Sequence, residues 1–268
     1  MYSNADIKLR ELLHPILLLG VKLTRRLKIE MRNRDNIPDR PVIFAVNHSN
    51  AHDFPTVAQA IKKHFYILAD FTMKKDMAVN ILNVLNGCIY VDRKDKQSRI
   101  QSKDNMIDLL SKGKNILIFP EGTWNFEPDK LLLPFNWGII DISLETNTPI
   151  VPITLGYSDK HCIVNIGKPF YPDKTSHKSE EILVLRDIMG TLLWESIESF
   201  PKHKCIDYES EYKCFIEKAL STYKKLDYEY ETSVIRKEYD TADEVFAHLN
   251  SIIPNHANAF LYNKKFFI

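Results

Sequence analysis

Glycine is scarce in this chain. The 268 residues contain 8 glycines, and no two of them lie closer than nine positions apart. A dinucleotide fingerprint or a phosphate-cradling loop needs two or more glycines within about six residues, so both are excluded. Cysteine is as thinly spread: Cys88, Cys162, Cys205 and Cys214 form no C-x-x-C pair, which argues against a zinc ribbon or a redox pair and for a reducing intracellular compartment. An excess of one charge is also missing. Lys plus Arg is 36 and Asp plus Glu is 35, a net of +1, so no global basic field exists to attract nucleic acid. Nowhere do 18 apolar residues run together, and no segment spans a bilayer unaided. The opening MYSNADIKLR lacks the pattern of a secretory signal. What remains is ordinary globular material, 44% hydrophobic and 26% charged, long enough for one large core or two small ones.

Three stretches are expected: a basic N-terminal segment over 1–40, an α/β domain over 41–200 and a helical extension over 201–268. Residues 5–30 are periodic, with Leu9, Leu12, Leu13, Ile16, Leu17, Leu19 and Leu27 among Lys8, Arg10, Lys22, Arg25, Arg26 and Lys28. Residues 1–40 carry nine basic and five acidic side chains, the one local charge excess near the N-terminus. An apolar stripe flanked by Lys and Arg suits either a membrane interface or a first helix covering the core. Pro15 is expected to kink or split it. From residue 41 the pattern alternates. Apolar runs at 42–46 (VIFAV), 65–68, 88–91 (CIYV), 115–119 (NILIF), 150–155 and 162–166 read as strands. Helical stretches follow at about 53–61, 77–85, 97–110, 137–145 and 181–200. This alternation predicts a mixed, largely parallel central sheet flanked by helices. After Pro201 the chain is rich in Tyr, Lys and Glu and reads as helical over 208–226 and 243–252.

In doubly wound sheets, sites form outside the carboxyl ends of strands. Here VIFAV runs into Asn47-His48-Ser49-Asn50-Ala51-His52-Asp53, CIYV into Asp92-Arg93, and NILIF into Pro120-Glu121-Gly122-Thr123. His48 and Asp53, five apart, would lie about 140° apart around a regular helix, so they can meet only if His48 is in the loop and Asp53 opens the helix. A carboxylate on one imidazole nitrogen fixes the tautomer and leaves the other nitrogen to take a proton. The competing reading makes Asp53 a simple helix cap. His48 and His52 have the spacing of metal ligands on one helical face. However, His161, His177 and His203 are scattered, and no metal site is expected.

Asn47-His48-x-x-x-x-Asp53 resembles the NHx4D motif of the lysophospholipid and glycerol-phosphate acyltransferase family. Three further blocks of that family follow in order: Gly87-Cys88-Ile89-Tyr90-Val91-Asp92-Arg93, Phe119-Pro120-Glu121-Gly122-Thr123 and Ile150-Val151-Pro152-Ile153-Thr154. The resemblance covers roughly residues 40–200. It implies that His48 is the general base for an acceptor hydroxyl and Asp53 its orienting partner. It also implies that Asn47, Arg93, Glu121, Gly122, Thr123 and Trp124 bind substrate. Acyl-CoA or an acylated carrier protein would supply the acyl group, with no further cofactor. No covalent acyl-enzyme is required, in keeping with the lack of a nucleophile elbow. One departure concerns the acceptor: the family's third block commonly continues Arg-Ser, whereas Trp124-Asn125 stand here. A charge is thereby exchanged for an indole.

The resemblance thus implies an acyl-thioester-dependent O-acyltransferase, peripheral on the cytosolic face of a membrane that it contacts through residues 5–30, acting on a lysophospholipid or glycerol-phosphate acceptor. Two other readings are open. One is a binding module that holds lipid or acyl carrier without turnover, and the other is a metal-dependent hydrolase using His48, His52 and Asp53.

Overall fold

The computed structural model describes residues 2–24, 27–50, 52–71, 84–125, 130–158, 160–201, 207, 210 and 214. Seven strands form one sheet: β1 (Lys28–Arg32), β2 (Ile43–Val46), β3 (Phe65–Asp70), β4 (Cys88–Val91), β5 (Asn115–Ile118), β6 (Ile150–Ser158) and β7 (His161–Ile166). Their order is β1-β7-β6-β2-β5-β3-β4. All neighbours pair in parallel except β6 and β7, which run antiparallel. The sheet is therefore mixed and largely parallel, as the alternating pattern predicts. Its central strand β2 is buried along its whole length. Burial on both faces is why the central runs are continuously apolar instead of alternating.

The helices whose full extent lies among the described residues are α1 (Asn4–Thr24), α2 (Asp53–Ile61), α3 (Lys96–Ser111), α4 (Gly138–Thr146) and α5 (Lys178–Glu198). The polar helix α3 starts where the Asp95 side chain accepts from the Gln97 and Ser98 N–H groups, and it ends at Gly113, whose φ of 78° reverses the chain. α1 packs against α2, while α4 packs against both α3 and α5. Of the helices expected from sequence, the one at 77–85 lies outside the described residues except at its last two positions, which are helical. The tail helices at 208–226 and 243–252 also lie outside, apart from two isolated residues, 210 and 214.

Two N-terminal expectations are corrected. Lys28–Arg32, read as the end of a basic helical segment, is the edge strand β1, paired with β7 from Lys28↔His161 to Arg32↔Asn165. Ile29 and Met31 alternate towards the core and Lys28, Glu30 and Arg32 do not. That two-residue period is hidden by the helical one preceding it. The sheet therefore begins before residue 41. Pro15 does not split α1, which runs through it. The ring lies on the exposed side, where water can hydrate the carbonyl that loses its N–H partner.

Candidate active site

Parallel register builds this site. β2 pairs with β5 at a constant offset, Ala45 opposite Ile118, so continuing both strands by three residues puts His48 opposite Glu121. The contact is made: the His48 backbone N–H donates to Glu121 Oε1 at 2.7 Å. Glu121 Oε2 accepts from the Leu133 N–H at 2.8 Å, and the Asn125 N–H donates to the His48 carbonyl at 2.8 Å. Glu121 is buried, and burial pushes its carboxyl up to about 8, against the pull of the two N–H bonds. Its placement differs from that expected for an acceptor ligand. Both oxygens hold backbone, and the side chain ties the His48 loop to the loop after β5. Gly122 makes the turn possible, with φ 79° and its N–H bonded to the Phe119 carbonyl. Thr123 is buried beside it.

On the other side of β2, Asn47 is a latch to β6. Its Oδ1 accepts from the Leu155 N–H at 2.7 Å and its Nδ2 donates to the Leu155 carbonyl at 3.3 Å. Asn47 thus extends the β2–β6 ladder by a side chain after the strand itself has ended.

The chain then turns back into α2, bringing Asp53 under His48. His48 Nδ1 lies 2.8 Å from Asp53 Oδ2. Asp53 is fully buried, and the same oxygen accepts from the Ser49 N–H at 2.6 Å and the Asn50 N–H at 2.9 Å. Oδ1 accepts from the Tyr157 hydroxyl at 2.8 Å and more weakly from the Ser49 hydroxyl at 3.3 Å. A buried carboxylate with donors on both oxygens is held in one orientation. Since an ionised carboxylate only accepts, His48 Nδ1 carries the proton and Nε2 the lone pair. The His48 ring stacks on Phe119 with centroids 3.9 Å apart and planes 13° apart, and meets Trp124 edge-on at 5.8 Å. The side chain keeps 16% of its surface exposed, so it is gripped yet still reachable.

Trp124 is only 7% exposed and lines the site from within against the imidazole. Arg93 follows β4, three strand intervals from β2, or roughly 14 Å at the usual spacing. Its Nε donates to Asp70 Oδ2 at 3.2 Å, and not to the neighbouring Asp92. Asp70 ends β3, so the pair bridges adjacent strand ends on the same edge of the sheet as His48. His52 stands exposed just before α2. Among the described residues no three His, Cys, Asp or Glu side chains converge as metal ligands.

Sequence reasoning did not single out Tyr157, nor the part of Phe119 in holding the ring. The inward alternation Ile153, Leu155, Tyr157 marks the tyrosine as buried, but only the fold shows what its hydroxyl meets.

Residues 28–156 match the family model described as Acyltransferase. Over those residues the chain is similar to the acyltransferase family. The match starts at β1 and so includes the strand missed from sequence. A protein named 1-acyl-sn-glycerol-3-phosphate acyltransferase from Borreliella burgdorferi is 33% identical over 141 residues, covering 52% of this chain and 56% of that protein. One of the same name from Saccharomyces cerevisiae is 24% identical over 153 residues, covering 55% and 50%. The chain thus spans about half the length of these relatives. The crystal structure of a 1-acyl-sn-glycerophosphate acyltransferase from Thermotoga maritima superposes with a TM-score of 0.60 at 19% identity, covering 76% of this chain and 86% of that one. The chain therefore shares that fold.

Proposed function

We propose that the chain is an O-acyltransferase that moves a fatty acyl group from a thioester to the hydroxyl of a lysophospholipid or glycerol-phosphate-type acceptor. The donor is acyl-CoA or acylated carrier protein, and no other cofactor enters the reaction. The observation that carries the reading is the 2.8 Å contact of His48 Nδ1 with a buried, fully bonded Asp53, with the imidazole still exposed. The names and fold of the relatives support the substrate class.

In this mechanism Asp53 holds Nδ1–H, and Nε2 removes the proton of the acceptor hydroxyl as its oxygen attacks the thioester carbonyl. The tetrahedral intermediate collapses with cleavage of the C–S bond. The thiolate leaves and takes the proton from Nε2, which returns His48 to its starting state. Positioned proton transfer of this kind contributes on the order of 10²–10⁴ in rate. The developing imidazolium is stabilised by Asp53. Arg93 provides a cation for the acceptor phosphate, a planar fork that can engage two oxygens while Asp70 fixes its Nε. Gly122 and Thr123 form the wall beside the acceptor, and Trp124 narrows the site where relatives of the usual pattern carry Arg.

The chain would meet its lipid at a membrane surface, peripherally and on the cytosolic side. Among the described residues no helix is long and apolar enough to cross a membrane. Support for surface contact comes from α1, which leaves Leu9, Leu12, Ile16 and Leu19 54–72% exposed on one helical face, with Lys8 and Lys22 also exposed.

A donor-by-acceptor panel tests the proposal. Purified chain is mixed with acyl-CoA or acyl carrier protein and with lysophosphatidic acid, glycerol 3-phosphate or other lysophospholipids, and free thiol is measured. Acceptor-dependent thiol release is the expected result. Lipid binding with no turnover from any donor would support the binding module instead, and stoichiometric metal in active protein would support the hydrolase.

A further inference from the structure

Tyr157 stands one residue beyond the stretch that matches the family model, at the far end of β6. It is buried, and its hydroxyl lies 2.8 Å from Asp53 Oδ1, the oxygen opposite to the one that holds His48. We infer that Tyr157 is a positioning residue, which acts on the reaction by fixing the rotation of the Asp53 carboxylate so that Oδ2 faces His48 Nδ1. The inference rests on the general-base reading of His48.

The distribution of donors over the two oxygens motivates it. Oδ2 is served by His48 and two backbone N–H groups. Apart from Tyr157, the bond on Oδ1 is the long one from the Ser49 hydroxyl at 3.3 Å. A carboxylate turns about its Cβ–Cγ bond with a broad, two-fold preference, so an oxygen without a short partner leaves that angle loosely set. The short phenol bond closes this freedom from the side away from substrate. Tyrosine suits the position because its ring fills core volume while its hydroxyl reaches a polar partner.

Two further contacts make the placement deliberate in the fold. The Asn47 latch fixes β6 at Leu155, two residues before Tyr157 and on the same face. β6 also runs five residues past its last pairing with β2 at Ile153, carried by its antiparallel pairing with β7 as far as Ser158. The extra length brings the phenol beneath α2. Burial, together with the Asp53 charge, pushes the Tyr157 hydroxyl well above its usual range, so it remains a donor throughout the working pH. The other titratable groups around the dyad are Glu121 from the loop after β5 and Cys162 from β7, whose thiol burial likewise holds protonated. Arg186 of α5 faces Glu121.

The test uses the full chain with Tyr157→Phe, and with 3-fluorotyrosine placed at 157 as a stronger donor of nearly the same size. Loss of one bond to a charged group predicts a kcat fall on the order of tenfold at unchanged KM. With one donor gone, the carboxylate charge acts more fully on the imidazolium, so the acid limb of the kcat profile moves to higher pH. The fluorinated side chain moves it the other way. A readout independent of turnover is the deshielded Nδ1–H proton resonance of His48, assigned by its loss in His48→Ala. It shifts in Tyr157→Phe. A purely structural phenol would lower the unfolding temperature while leaving the pH limb and the proton resonance in place, and that result overturns the inference. Should His48→Ala release thiol as fast as wild type, the base reading fails. Should it be inactive while Tyr157→Phe matches wild type in kcat, pH limb and resonance, only the role of Tyr157 fails. If Tyr157→Phe does not fold, the fluorotyrosine chain decides alone: an unmoved limb and resonance overturn the inference.

Discussion

Asp53 and Glu121 are both buried carboxylates, and their surroundings give them different tasks. Asp53 accepts from the imidazole and presents that ring to solvent, whereas Glu121 accepts only from backbone and joins two loops. Glu121→Gln keeps the shape but turns one acceptor into a donor facing a backbone N–H. It should cost about 1–3 kcal/mol of stability, read as a lower denaturant midpoint with unchanged slope. The contrast between the two residues was only half visible beforehand. Five-residue spacing and a helix start at Asp53 allowed it to meet His48, and the resemblance to the NHx4D motif chose that reading over a simple helix cap. Nothing in Phe-Pro-Glu-Gly-Thr says whether the glutamate points at a substrate or at its own chain, because that depends on the β2–β5 register. Trp124 is similar: its type could be read as a platform for a ligand, but its contact with the imidazole arises from a turn whose geometry the sequence does not encode locally.

At the scale of elements, α1 is the unusual one. One side docks through Ile7 in the core, the Tyr2 hydroxyl on the Cys88 carbonyl at 2.7 Å, and His14 Nδ1 on Asn86 Oδ1 at 3.1 Å. The other side offers four large aliphatic side chains at spacings of three, four and three. A soluble helix normally hides such a stripe. Changing Leu12 and Ile16 together to Ser should leave thermal stability unchanged, because both already face solvent. It should reduce co-sedimentation with anionic vesicles on the order of tenfold, and added salt should weaken what remains. Unchanged sedimentation would return the stripe to a packing role. The apolar periodicity of this helix was legible, but the side that faces the core was not, since every turn from Leu9 onward carries a leucine. The strand β1 was hidden for a related reason: five residues of alternation directly after a long helical pattern read as its continuation. The inner strands were plain because double burial leaves them uniformly apolar.

For the whole molecule, the seam beneath α1 sets a dependence on pH. Burial pushes His64 down to about 4, and it lowers His14 as well. A histidine depressed in the folded state binds fewer protons than the unfolded chain between pH 4 and 6.5. Stability is therefore full above about 6.5 and declines as pH falls towards 4, by on the order of 3 kcal/mol for His64. In His64→Gln, which can still donate to the Asn86 carbonyl, this decline should be missing. The difference in unfolding temperature between wild type and variant should change with pH only below about 6.5. Glu121 works in the opposite sense: its carboxyl, raised to about 8 by burial, makes stability fall as pH rises from about 4.5 to 8. The layered α/β architecture was legible from alternation alone, and the site's location followed from strand ends. Strand order was not, since β5 and β6 flank β2 although they lie far from it in the chain, and this order is what assembles the imidazole, its carboxylate and the loops around them. The most direct measurement of that assembly compares thiol release by wild type and His48→Asn, whose side-chain amide can still donate to Asp53 but has nothing in place of Nε2. If the dyad deprotonates the acceptor, kcat drops on the order of 10²–10⁴-fold while the unfolding temperature stays within a few degrees. Equal thiol release by the two proteins would contradict it.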